Sequence, residues 1–281
     1  MFLHRIGDYA INGTDNVIIS AFINITTVGL YSNYNLLIRT MKMILTTMLT
    51  SATASFGNLL AMESKQKALE KFEVFNFLAF FLYGWATVCA YNLFNPFISL
   101  WIGEKYLLSP IVLGLVLADF FLVGLRTPLS IVKMAAGVYA QDKYVPLIQA
   151  VVNLVSSLIL VHFWGLVGVF TGTLLSSILV VSWIRPYIVY KYVFGIPVRK
   201  YFITILPYFA IFFCYLFPTT FICQYFFPNS NMLHFLGRFL VCLTLPNILI
   251  FLLLRKTTEF QASLTIVRGI FKKGGLSTWK R

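Results

Sequence analysis

The chain alternates long apolar runs with short polar breaks, and most runs are long enough to cross a bilayer. A helix needs about 20 mainly apolar residues to span the hydrocarbon core. Eight such spans are predicted: 6–24, 33–60, 74–98, 110–136, 145–164, 166–184, 201–222 and 233–254. The breaks carry turn or loop chemistry. Glu63 to Lys71 reads as a charged loop, Asn95-Pro96 with Gly103-Glu104-Lys105 as a turn, and Tyr139 to Tyr144 as a polar loop. Residues 144–184 hold no Asp, Glu, Lys or Arg, so Gly165 and Gly168 are read as a tight turn between two crossings. Pro218, Pro228 and Asn229-Ser230-Asn231 divide the last long run. The expected fold is all-α, a polytopic membrane bundle of about eight helices over 1–254, with a basic tail over 255–281. In that tail Phe260, Leu264, Val267 and Phe271 recur at helical spacing opposite Arg268, Lys272 and Lys273, the pattern of an interfacial amphipathic helix.

Composition agrees with this class. Of the 281 residues, 59% are hydrophobic and only 11% charged, against about 25% charged in soluble domains. The formal charge of +13 reflects orientation and does not point to nucleic acid. Arg5, the three lysines of 63–71, Lys143, the four cations from Arg185 to Lys200 and the seven in the tail make sixteen on one side, against Lys105 alone on the other. The positive-inside rule then predicts both termini to be cytoplasmic. The four cysteines fall in apolar segments without metal-ligand spacing and read as packing residues. His4, His162 and His234 are scattered, and no triad, paired-carboxylate motif or phosphate-binding glycine loop is visible. Nothing points to enzymatic chemistry or to a cofactor.

The chemistry of interest is therefore the polar residues inside spans, each costing about 2.5–3.5 kcal/mol at a helix centre when charged. Asp119, Arg126 and Lys133 lie seven residues apart in the fourth span, so they share one helix face. Pro128 follows Arg126 and can open the helix there. The stripe is expected to line a solvated cavity. A plain Asp119–Arg126 salt bridge is disfavoured, since the two lie about 10 Å apart along the axis. Asp15 sits in the cluster Asn12-Gly-Thr-Asp-Asn16 of the first span, facing the interior or locking helix packing. Arg39 and Lys42 share a face of the second span, as cavity cations or as side chains reaching the outer headgroups. The serines and threonines of 46–55, with Asn153, Ser156 and Ser157, read first as helix-packing residues.

Several strings in order resemble a known family. They are Thr14-Asp-Asn-Val-Ile-Ile-Ser-Ala-Phe22, Gly29-Leu-Tyr-Ser-Asn-Tyr34, Gly57-Asn-Leu-Leu-Ala61, Asn95-Pro-Phe-Ile-Ser-Leu-Trp-Ile-Gly103, Gly137-Val-Tyr-Ala-Gln-Asp-Lys-Tyr144 and Gly165-Leu-Val-Gly-Val-Phe-Thr-Gly-Thr173. Together they resemble the polysaccharide-biosynthesis flippases for O-antigen or capsular repeat units, within the multidrug/oligosaccharidyl-lipid/polysaccharide exporter superfamily. Members of that family usually have two six-helix lobes, and this chain resembles the second, carboxy-terminal lobe without the first. The resemblance implies a multi-pass protein of the bacterial cytoplasmic membrane that flips an undecaprenyl-diphosphate-linked oligosaccharide. Its implied partners are that substrate, membrane lipids, a missing amino-terminal lobe and the polysaccharide polymerase machinery. Arg126, Lys133, Arg39 and Lys42 would meet the diphosphate. Asp119, Asp15, Asn12 and Asn16 would line the cavity or hold a coupling proton or sodium ion. The alternatives are a multidrug-type exporter of the same superfamily, a non-transporting truncated remnant, and a membrane polysaccharide polymerase.

Overall fold

A computed structural model describes residues 13–265, and within them the chain is a bundle of helices without strands. A first helical segment, α1, covers 13–22. It is followed by α2 (Ile25–Thr50), α3 (Thr53–Met62), α4 (Lys65–Trp101), α5 (Pro110–Ala135) and α6 (Val145–Trp164). Next come α7 (Leu166–Phe194), α8 (Arg199–Phe226), α9 (Met232–Leu254) and a short α10 over 258–265. Among the described residues seven helical paths are long and apolar enough to cross a membrane, α2 and α3 counting as one. The first predicted span falls partly outside, since 6–12 are not described.

Several helices run past their expected ends for local reasons. The charged segment 63–71 is not a loop; from Lys65 onward it forms the first turns of α4. Ser64 caps the helix by accepting from the Lys67 amide. Glu63 pairs with Lys67 and Gln66 with Glu70, both at the four-residue spacing that supports a helix. Likewise α7 continues beyond residue 184 to Phe194, where Gly195 takes φ +73 and Pro197 follows. Two wide π turns, Ser177–Val181 and Val189–Phe194, bracket Pro186. They accommodate the backbone that proline disrupts.

The second crossing begins at Ile25, not residue 33, and it breaks near its middle. The Thr46–Ser55 residues expected to glue helices act here on their own backbone. Thr50 donates to Thr47 O, Ser51 to Met48 O and Thr53 to Thr50 O, so side-chain oxygens compete with the helix ladder where α2 gives way to α3. Thr46 alone reaches across, with its hydroxyl 2.8 Å from that of Tyr83 on α4.

The core runs along α4 and α5. Tyr83, Phe80, Phe120, Phe121, Leu117 and Leu129 are buried there. A β-carbon on Gly124 would stand 2.1 Å from the Tyr83 ring, so only glycine allows this approach. The α6–α7 hairpin is tighter still: a β-carbon on Gly168 would meet the backbone oxygen of Leu160 at 2.0 Å. α9 joins α4 by reciprocal bonds to proline-freed carbonyls. Pro96 leaves Asn92 O without its helical donor, and Arg238 Nη1 of α9 takes it at 3.3 Å. Pro246 leaves Cys242 O free, and Trp85 Nε1 of α4 takes it at 3.0 Å.

In the described part of the tail, Phe260 of α10 is buried between Phe77 and Phe251, at 5.9 Å from each ring, so this short helix packs against the bundle. Val267, Arg268, Phe271, Lys272 and Lys273 lie outside the described residues.

Candidate functional site

Two polar centres form inside the bundle, both against α7. The first joins α1, α6 and α7. Asp15 is buried, and its two carboxylate oxygens lie 3.0 and 3.2 Å from Thr173 Oγ1, which is positioned to donate to either. Asn153 Nδ2 donates to the same hydroxyl at 2.9 Å. Asn153 Oδ1 and Asn16 Oδ1 are buried without a protein hydrogen-bond partner. Ser157 donates to Val169 O at 3.0 Å and closes the α6–α7 seam beside this centre. Tyr31 of α2 packs its ring at a tilt on Phe170, centroids 4.8 Å apart, and lies within electrostatic range of Asp15, Arg39 and Asp119. Asn12 lies outside the described residues.

The second centre joins α5 and α7. Arg126 is only 4% exposed. Its Nη1 donates to Ser177 O at 2.9 Å and to Ser182 Oγ at 3.0 Å, and its Nη2 donates to Ser177 Oγ at 2.7 Å. The π turn at Ser177–Val181 is what presents that carbonyl and hydroxyl together. A planar guanidinium fork is suited to such a fixed set of acceptors. Arg126 also borders a crevice of about 90 Å³ with Ser182, Tyr201 and Phe202.

The sequence reading placed Asp119 too far from Arg126 for a salt bridge, yet Arg126 Nη2 lies 4.0 Å from Asp119 Oδ1. Long helical side chains lean toward the helix N-terminus, and this recovers most of the axial separation. Lys133, 5% exposed, pairs with Asp142 of the following loop, itself buried. The stripe therefore turns toward α7 and the loop after α5, with only Asp119 part-exposed, its side chain at 29%. Arg39 and Lys42 are exposed on α2, away from both centres' hydrogen bonds.

The structure thus brings Asp15, Asp119 and Arg126 into one neighbourhood and sets Lys133 one step further along α5. It keeps Arg39 and Lys42 on an open face. Thr173, Ser177, Ser182, Asp142 and Tyr31 belong to the site and did not stand out in the sequence. The only available signal was weak: small polar residues recurring along 173–182 in an otherwise apolar span. Among the described residues no group of three or more His, Cys, Asp or Glu side chains is arranged to hold a metal.

No protein-family model matches the sequence, and no curated protein matches it. A solved structure does: a lipid II flippase, MurJ, in an inward closed conformation, superimposes with a TM-score of 0.58 at 14% identity. The match covers 90% of this chain and 52% of that one, so the chain spans about half the length of the structure it matches. At that identity the likeness establishes the fold alone: a bundle of helices, seven of its described paths long and apolar enough to cross a membrane, arranged like the matched half of MurJ.

Proposed function

We propose that this chain is one lobe of a flippase that carries a lipid-linked oligosaccharide across the bacterial cytoplasmic membrane, a transporter and not an enzyme. The observation that carries the reading is that 90% of the chain superimposes on half of a lipid II flippase. A lobe of that fold supports a lipid-linked substrate here. On the resemblance of its motifs, the substrate is an undecaprenyl-diphosphate-linked O-antigen, capsule or exopolysaccharide repeat unit. Both termini would be cytoplasmic by the positive-inside rule.

The residues divide by exposure. Arg39 and Lys42 stand exposed on α2, within a helical path long and apolar enough to cross a membrane, where a charge is costly against lipid and favourable against a phosphate-bearing ligand in a wet cavity. They are the first contacts proposed for the diphosphate. Arg126 holds α7 in position and Lys133 holds the loop after α5, each beside an acid, Asp119 or Asp142, that offsets its charge. Asp15, with Thr173 and Asn153, offers oxygen ligands suited to a hard coupling cation, a sodium ion or a proton. Two lobes rocking about a central site are needed for alternating access, so a second lobe is the implied partner. Cation-rich cavity positions disfavour the multidrug alternative, which calls for acids facing cationic drugs.

The test is surface polysaccharide in a host strain carrying the two-lobe transporter with Arg39→Ala and Lys42→Ala. Both side chains are exposed, so membrane levels should stay near wild type while surface polysaccharide falls at least tenfold for the double variant. Unchanged polysaccharide at normal protein levels rejects the cation assignment.

A further inference from the structure

At one end of the bundle the first turns of α4 and α8 meet the turn that leaves α7. Lys65 opens α4 and Arg199 opens α8. Gly195 ends α7, and Lys65 Nζ lies 3.6 Å from where a β-carbon on Gly195 would stand, so the ammonium reaches over that turn. Beside it is a groove of about 410 Å³, floored by Leu69, Ile196 and Ile203 and rimmed by Gln66, Arg199 and Lys200.

The charges there are not balanced. Lys200 Nζ pairs with Glu73 Oε1 at 2.9 Å. Lys65 and Arg199 have no acidic partner among the described residues, and both are exposed. The first turn of α8 carries no acid and no side-chain cap, so its amide dipoles add to the positive potential. One to two turns further along α8, Ile203 is 61% and Leu206 71% exposed. Cations at the helix ends with bare apolar side chains directly beneath reproduce the layering of a phospholipid, phosphate above and acyl chain below. The groove lies between α4 and α8, whereas α2, with Arg39 and Lys42, packs against α4 and α5.

We propose that this groove binds the headgroup of an anionic glycerophospholipid. Lys65 and Arg199 contact the phosphate, and the acyl chains lie along Ile203 and Leu206. Charge complementarity selects the occupant: two cations without acidic partners at the membrane surface favour an anionic over a zwitterionic headgroup. The proposal needs no transport activity, so its failure is separable from failure of the flippase reading.

The experiment is native mass spectrometry of the full chain in detergent, titrated separately with phosphatidylglycerol, phosphatidylcholine, undecaprenyl phosphate and inorganic phosphate. Phosphatidylglycerol is expected to bind at least tenfold more tightly than phosphatidylcholine, and inorganic phosphate not to compete. Lys65→Gln with Arg199→Gln should weaken phosphatidylglycerol binding about thirtyfold, at roughly one surface cation's contribution each. A control neutralising Arg255 and Lys256 should leave it unchanged. Equal binding of the two glycerophospholipids, wild-type binding by the double variant, or competition by undecaprenyl phosphate at lower concentration than phosphatidylglycerol would overturn the assignment. Should the double variant fold poorly, Ile203→Trp, which fills the floor of the groove and keeps both cations, is expected to weaken phosphatidylglycerol binding; unaltered binding counts against the groove.

Discussion

Arg126 and Arg39 are both arginines within apolar helices, and their surroundings are opposite. Arg126 is buried against α7 and holds a carbonyl and two serine hydroxyls. Arg39 stands exposed on α2 with Lys42 a turn away. The same contrast extends to the helices that bear them. Around α7 the packing is close enough that Gly168 touches backbone, while α2–α3 is loosened by its own threonines and has open space around Gly57. A charge that the fold has already satisfied shapes the lobe. A charge that the fold leaves open is available to a ligand.

The contrast breaks most visibly at Arg126. Arg126→Ala removes three hydrogen bonds to α7 and the cation beside the part-exposed Asp119, and should cost about 2–4 kcal/mol, read as a fall in thermal unfolding temperature in detergent. Arg126→Lys should recover little, because a point charge cannot span three acceptors. Wild-type stability in Arg126→Ala would erase the distinction between the two arginines. Next in size is Gly168→Ala, which drives a methyl into Leu160 O and should cost about 1–3 kcal/mol. Thr173→Val keeps the shape and deletes the hydroxyl on Asp15, an expected loss of about 1–2 kcal/mol. If Asp15 holds the coupling ion, the same variant also shifts the cation dependence of export, measured as surface polysaccharide against external sodium and pH. At the quiet end, Gly57→Ala meets nothing within 4 Å in α3 and should stabilise by about 0.5–1 kcal/mol. Destabilisation there would mean that the α2–α3 side is closely covered.

Much of the architecture was legible because hydropathy reports directly on burial in lipid. The turns at Gly165 and at Asn229–Asn231 fall between helices in the structure. The heptad spacing of Asp119, Arg126 and Lys133 correctly implied a shared face, since periodicity fixes direction around a helix. It did not reveal what that face meets. Thr173 lies 158 residues from Asp15, and nothing in either segment encodes their pairing. Ser177 and Ser182 become partners of one guanidinium only because a π turn alters the local winding. The charged run at 63–71 misled for a different reason: its ions sit at helical spacing, and composition alone hides that.

The exchange between α4 and α9 bears on how the sequence can drift. Each helix offers a carbonyl that its own proline has released, and each supplies a donor to the other, Trp85 to Cys242 O and Arg238 to Asn92 O. The acceptors belong to the main chain, so residue 242 can change identity while the bond survives. Trp85 is tied instead to Pro246, and Arg238 to Pro96. If either proline reverted to an ordinary helix former, the carbonyl would return to its own helix and the opposite donor would lose its purpose. These positions are therefore expected to vary in pairs among related sequences.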